Sequence, residues 1–156
     1  MWKPIISWMR NENCCTVKEL ISELEFDIRF SETDAMGVVW HGNYLKYFED
    51  GREAFAKQFG MSYLEIHSHQ YFVPIVKSEI NHKSPIYYGQ RAKIITKMIP
   101  SKAAKIIFEY EIINLSTQLI SAKGSTTQVF LREKSRELEL QFPAFYVDWE
   151  KKVGIK

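Results

Sequence analysis

The chain is short of the features that mark an exported, membrane-spanning or nucleotide-binding protein. It has two cysteines, Cys14 and Cys15, and adjacent residues of a trans chain do not readily reach disulfide geometry. Two reduced thiols in a reducing compartment follow. No stretch approaches the roughly 20 apolar residues that cross a bilayer. The opening MWKPIISWMR carries one Lys before a short apolar run broken by Pro4 and Ser7, which makes a poor secretory signal. Neither charge dominates: 21 Lys and Arg face 19 Asp and Glu, for a net charge of +2. That balance offers no field for a phosphate backbone, so nucleic acid is not an expected partner. There is no GxGxxG, no phosphate loop and no GxSxG. His67, His69 and His82 lack any Cys or carboxylate at metal-ligand spacing, so no metal is implied. The expectation is a cytoplasmic protein with no membrane partner.

The 156 residues, of which 46% are hydrophobic and 26% charged, are enough for one globular domain. Residues 1–20 show no clean period and read as an N-terminal extension, 21–135 as the folded domain, and 136–156 as a C-terminal tail, irregular around Pro143 and Trp149. Leu24, Phe26, Ile28 and Phe30 alternate with Glu25, Asp27 and Arg29, the two-residue period of a half-buried strand. The glycine-bearing segment SETDAMGVVWHG then breaks that period and reads as an ordered loop.

A helical period follows. Tyr44, Phe48, Gly51, Phe55 and Phe59 share one face, Lys46, Glu49, Asp50, Arg52, Glu53 and Lys57 cover the other, and Gly60 ends the helix. Gly51 in mid-helix costs roughly 1 kcal/mol against Ala, which signals that something presses close there. Glu49 and Arg52, three apart, read as an ion pair on the helix. Four strand-like runs come next: Tyr71 to Lys83, Arg91 to Ile99, Lys105 to Asn114 and Leu119 to Arg132. Turn signals separate them. This predicts an α+β protein in which one long helix is wrapped by a curved five-stranded antiparallel sheet. One helix leaves sheet edge and apolar surface uncovered, so a homodimer or homotetramer is expected.

The loop from Asp34 to Asn43 is where chemistry is expected. It runs into the amino end of the helix, where unpaired N–H groups and the helix dipole attract an oxyanion. Gly37 and Gly42 let backbone amides approach a substrate without an intervening side chain. Asp34 opposite those amides would serve as general base or nucleophile on a carbonyl carbon. A loop Asp before a helix also serves commonly as a cap or turn residue.

Ser31 to Arg52, SETDAMGVVWHGNYLKYFEDGR, resembles the signature of the 4-hydroxybenzoyl-CoA thioesterase family of hotdog proteins, which includes short-chain acyl-CoA thioesterases. The matching positions are Asp34, Ala35, Met36, Gly37, Val38, Val39, Trp40, His41, Asn43 and Tyr44, with Glu49 and Arg52 where the family's helix carries its acid and its Arg. FVPIV at 72–76 and the turn at Pro85 extend the likeness. The resemblance implies the hotdog fold, an acyl-CoA substrate and no cofactor, coenzyme A being part of that substrate. It makes Asp34 the catalytic carboxylate and the backbone N–H of His41 the donor that polarises the thioester. Gly37, Val38, Trp40, Gly42, Asn43 and Tyr44 would line the substrate site. Met36 stands where the family often has Gly or Ala, which would narrow the acyl pocket or shift the loop. Hydratases and dehydratases share this fold, as would a protein that binds acyl-CoA without turnover. Lys83, Arg91 and Arg132, near strand ends, are candidate cations for coenzyme A.

Overall fold

A computed structural model describes residues 18–155; both cysteines and nearly all of the predicted N-terminal extension lie outside the described residues. Strand β1 (Ile21–Asp27) leads through a 3-10 turn (Phe30–Glu32) and the loop to the long helix α1 (Asn43–Phe59). A short helix α2 (Tyr63–Ser68) follows, then β2 (Tyr71–Phe72), β3 (Ile75–His82), β4 (Arg91–Ile99), β5 (Lys105–Asn114), β6 (Leu119–Val129), β7 (Leu131–Arg132) and helix α3 (Ala144–Val153). The main sheet has the order β1-β4-β5-β6-β3, with every neighbouring pair antiparallel. Strands β2 and β7 make a separate two-stranded ribbon.

The sheet turns one face to α1. Ala92, Ile94, Thr96 and Met98 of β4 and Ile106, Phe108, Tyr110 and Ile112 of β5 are buried at every second position, as the pleat requires. From α1, Tyr44, Tyr47, Phe48, Gly51 and Phe55 are buried against them. Phe48 stacks on Tyr110 with centroids 4.2 Å apart, and Phe55 meets Phe108 edge-on at 5.0 Å. Each such aromatic contributes on the order of 1.5–3 kcal/mol by leaving water. A Cβ at Gly51 would fall inside the contact radius of Thr96 Oγ1 and 3.0 Å from Ile94 Cδ1, so the close approach expected from the sequence is real. Gly60, at φ +86°, ends the helix with its N–H donating to Ala56 O at 2.7 Å.

Several local expectations give way to tertiary contacts. The strand stops at Asp27 and the alternation holds through buried Ile28, but Phe30 lies in the 3-10 turn and is 76% exposed, because the chain leaves the sheet to begin the loop. Tyr71 to Lys83 is two strands, interrupted at Pro74, which has no N–H for a ladder. Arg52 is not on the solvent face and makes no ion pair with Glu49. It lies beside Phe48 and Phe55 at the rim of the apolar stripe, turns inward and is only 7% exposed. His67 belongs to α2 and His69 caps its end, where a loop was expected.

The segment expected to be irregular around Pro143 and Trp149 contains α3, capped by Pro143 and by Gly154 at φ +82°. Trp149 Nε1 donates to Phe59 O at 2.8 Å, while Tyr146 and Trp149 are buried against the core. This helix closes the carboxyl end of α1. No helix among the described residues is long and apolar enough to cross a membrane.

Candidate active site

Glu32 joins the strand side to the helix side of the loop. Its carbonyl oxygen accepts from Trp40 N at 2.9 Å and from Asn43 Nδ2 at 2.7 Å. Its carboxylate accepts from Arg29 N at 2.9 Å and from the Tyr47 hydroxyl at 3.1 Å. Burial, reinforced by that carboxylate, pushes the Tyr47 phenol well above its ordinary value, so Tyr47 stays a donor. A short bridge from Thr33 to Val39 closes the loop on itself, and one from Val38 to Tyr87 holds it against the turn after β3. Val39 N donates to Ile86 O at 2.9 Å and Tyr88 N to Gly37 O at 3.2 Å.

Asp34 sits at the head of a tight turn. Its backbone N donates to Val38 O at 2.8 Å, and Gly37 N returns to Asp34 O at 3.0 Å, with Gly37 at φ +72°. The side-chain oxygen Oδ1 accepts from Met36 N at 2.8 Å and Val38 N at 3.3 Å. Those bonds fix the carboxylate's direction, and Oδ2 has no hydrogen-bond partner among the described residues. The turn therefore engages one of the two carboxylate oxygens and leaves the other without a partner among the described residues.

At the other end of the loop, Asn43 N donates to Trp40 O at 2.9 Å and Tyr44 N to His41 O at 3.4 Å. Among the described residues the N–H groups of His41 and Gly42 have no acceptor. Two consecutive unmet amides at the start of a 17-residue helix make a local positive site for an oxyanion. Trp40 folds its ring back over Gly42, where a Cβ would come within 2.6 Å of Trp40 Cε3, and the same ring stands 4.8 Å from that of His41.

An open depression of about 360 Å³ is lined by Asp34, Val38, Val39, His41, Tyr44, His82, Lys83, Ser84 and Pro85. The fold thus brings Asp34, Val38, His41 and Tyr44 of the expected set to one surface. Gly37 stands behind it as the turn residue, and the Asn43 side chain is buried as the strap to Glu32. Trp40 and Gly42 flank the depression. Tyr44 is buried, which pushes its phenol above the ordinary value, and its ring meets His82 edge-on at 4.7 Å.

His82 and Ser84 were given no part in the chemistry from sequence, and nothing local marks them. They lie some forty residues beyond the loop and reach it through the pairing of Val38 with Tyr87. Of the three cations suggested for coenzyme A, Arg91 pairs with Glu25 and Asp27, and Arg132 with Glu139. Lys83 is the one beside Asp34. Among the described residues, no group of three or more His, Cys, Asp or Glu converges as a metal ligand set.

The profile of the thioesterase-like superfamily matches residues 28–151, which takes in the loop, the depression, the whole main sheet except β1, and most of α3. The chain belongs to that superfamily. Its fold is the hotdog fold, and the reaction class of this family is hydrolysis of a thioester bond. The chain is 32% identical over 129 residues to the protein named "Putative acyl-CoA thioesterase YneP" of Bacillus subtilis, covering 83% of this chain and 92% of that one. It is 27% identical over 132 residues to a 1,4-dihydroxy-2-naphthoyl-CoA hydrolase of Prochlorococcus marinus, covering 81% and 86% of the two chains. The crystal structure of a DHNA-CoA thioesterase from Staphylococcus aureus superposes with a TM-score of 0.76 at 27% identity, over 85% of this chain and 90% of that one. This thioesterase-like chain adds α2 and α3 to the single long helix expected from its sequence.

Proposed function

We propose that the protein hydrolyses acyl-CoA thioesters in the depression between the Asp34 loop and the turn after β3. The observation that carries this reading is the division of labour at Asp34. Oδ1 is held by the amides of Met36 and Val38, which leaves Oδ2 on a surface shared with His41, whose own amide has no acceptor. A thioester carbonyl oxygen directed at the His41 and Gly42 amides would gain hydrogen bonds as it becomes an oxyanion. Asp34 would then attack the carbonyl carbon to form an anhydride that water opens, or take a proton from a water that attacks directly. Coenzyme A leaves as the thiol, and the acyl group as the free acid.

Release of free thiol from a panel of acyl-CoAs tests the reading. The panel spans chain lengths and aroyl groups and includes 1,4-dihydroxy-2-naphthoyl-CoA, for which a relative is named. Asp34→Asn keeps an oxygen for the Met36 and Val38 amides and removes the charge. Hydrolysis should fall by at least about a hundredfold, the low end of what a positioned acid or base supplies, with melting unchanged. His41→Ala, which keeps the backbone N–H, should cost far less. A folded Asp34→Asn protein that hydrolyses its best substrate at near the parent rate would falsify the assignment. A parent that releases no thiol from any member would leave a hydratase or an acyl-CoA binding protein of the same fold.

The same reading makes the protein a homodimer or homotetramer. Strand β3 is one edge of the main sheet, exposed at all but one of its positions, and presents Ile75 and Val76 to solvent. An uncovered edge with apolar side chains is a template for pairing. Light scattering at micromolar concentration should return at least twice the chain mass of 18.4 kDa; a stable monomer would overturn this.

A further inference from the structure

The two halves of the proposed chemistry stand on different segments. The Asp34 carboxylate belongs to the turn that follows the 3-10 segment, and the His41 and Gly42 amides belong to the run into α1. Hydrolysis depends on how those segments are aligned, because a misplacement of about 1 Å at a reacting centre can cost on the order of a hundredfold in rate. Glu32, two residues before Asp34, is where the segments are joined. Its N–H donates to Arg29 O at 3.0 Å, and Arg29 N donates back to its carboxylate oxygen Oε2 at 2.9 Å, which fixes the Glu32 backbone in the 3-10 turn. From that fixed point it reaches three donors across the loop. The carbonyl oxygen takes Trp40 N and Asn43 Nδ2, and Oε2 takes the Tyr47 hydroxyl as well.

These three donors bracket the oxyanion site. Trp40 immediately precedes the two amides, Asn43 immediately follows them, and Tyr47 lies one turn further along α1. Asn43 and Tyr47 are buried, so they tie Glu32 to the packed helix rather than to a mobile surface. The same bonds decide which donors stay free. Trp40 N is held by Glu32 O, Asn43 N by Trp40 O and Tyr44 N by His41 O. Of the consecutive amides from Trp40 to Tyr44, those of His41 and Gly42 are left without an acceptor among the described residues. Glu32 itself does not line the depression, so its influence on the reaction passes through the groups it holds.

We propose that Glu32 is a positioning residue for the hydrolysis, which through its carbonyl oxygen and Oε2 sets the separation between the Asp34 carboxylate and the His41 and Gly42 amides. This rests on the assignment of Asp34 as the reacting carboxylate. What the site takes from the Glu32 side chain is an acceptor in a fixed place and not its charge: both side-chain bonds fall on one oxygen, and the oxygen of an amide can accept two bonds equally well.

Steady-state thiol release from the acyl-CoA that the parent hydrolyses best is compared in the full-length parent, Glu32→Ala, Glu32→Gln and Tyr47→Phe, together with amide hydrogen exchange at Val39 and Trp40. In Glu32→Ala kcat should fall by about ten- to a hundredfold with KM within about twofold, since the groups that bind substrate remain and their alignment is lost. Glu32→Gln should restore kcat to near the parent value. Tyr47→Phe keeps the buried ring, removes one of the two side-chain bonds and should fall between Glu32→Ala and Glu32→Gln. The Trp40 amide should exchange about tenfold faster in Glu32→Ala, while that of Val39, held by Ile86 O, is unchanged. A Glu32→Gln protein as slow as Glu32→Ala would show that the charge acts and not the placement. Unchanged kcat in Glu32→Ala, or a loss confined to KM, would leave Glu32 with a structural role only; either result overturns the proposal. If Glu32→Ala does not fold, Tyr47→Phe set against Glu32→Gln decides by the same readouts. Full activity in Glu32→Ala beside a dead Asp34→Asn sinks this inference and spares the reading of Asp34, whereas a parent that releases no thiol sinks both.

Discussion

Gly42 and Gly51 sit at the start and in the middle of the same helix, and at both a Cβ would collide with a neighbour, yet the neighbours differ in kind. At Gly42 the obstacle is the ring of Trp40, a side chain that is 49% exposed and free to swing away. At Gly51 it is Thr96 and Ile94, both fully buried on a central strand. One glycine keeps a surface aromatic in place over unmet amides, and the other allows the helix to seat on the sheet. The contrast extends to the two halves of the helix. Among the described residues its amino end leaves N–H groups without acceptors, whereas its carboxyl half is enclosed by Phe108, Tyr146 and Trp149. Unmet backbone donors and close packing are separated along one element, which lets the depression stay open without weakening the core.

The sharpest test of that contrast is Gly51→Leu. Leu is the better helix former, but its side chain has to displace Thr96 and Ile94 from a packed layer. Overpacking beyond the usual 1–3 kcal/mol should leave little folded or assembled protein by circular dichroism and light scattering. A melting temperature equal to the parent's would mean that the helix does not sit as close to β4 as described.

Gly42→Ala should do the opposite. The Trp40 ring moves into solvent, melting changes by less than about 0.5 kcal/mol, as at other surface positions, and thiol release falls by roughly tenfold, since small misplacements at a reacting centre are costly. Normal activity with a displaced tryptophan, read from its fluorescence, would remove Trp40 from the site.

The smallest effect concerns the cap of α2. Ser62 Oγ accepts from Glu65 N at 3.2 Å and Glu65 Oε2 from Ser62 N at 2.7 Å. Ser62→Ala should cost about 1 kcal/mol and leave activity unchanged. The Ser62 backbone and side-chain hydrogen bonds hold the Glu65 carboxyl below its ordinary value. A depressed folded pKa stabilises above the unfolded value and is lost as pH falls through the folded one. Ser62→Ala keeps the backbone bond, so only the side-chain part of the parent's advantage should disappear as pH falls below the ordinary carboxylate range, as a pH series of melting curves would show.

Much of the framework could be read from local pattern. The face made by Tyr44, Phe48, Gly51 and Phe55, the stop at Gly60, and the turns before β4, β5 and β6 all have periodic or conformational signatures, and the structure has them. Gly51 could be flagged because a mid-helix glycine has an energetic cost that close contact explains. Arg52 could not be assigned inward. Charge favours solvent unless hydroxyl partners wait in the core, and those partners, Tyr63 and Tyr110, stand 11 and 58 residues away. Helix α3 was missed because its apolar residues acquire a face only once Phe59 and the end of the sheet provide a surface for Tyr146 and Trp149.

At the site, sequence alone determined the loop: an Asp, two glycines and the start of a helix within ten residues, a motif whose chemistry depends on backbone geometry over a short span. Tertiary structure decided the rest of the wall. His82, Lys83, Ser84 and Pro85 join Asp34 and His41 because the turn that follows β3 bridges to Val38 at Tyr87. Local periodicity encodes which face of an element turns inward. Which distant side chains then meet depends on the order of strands and their register, and no window of neighbouring residues carries that information.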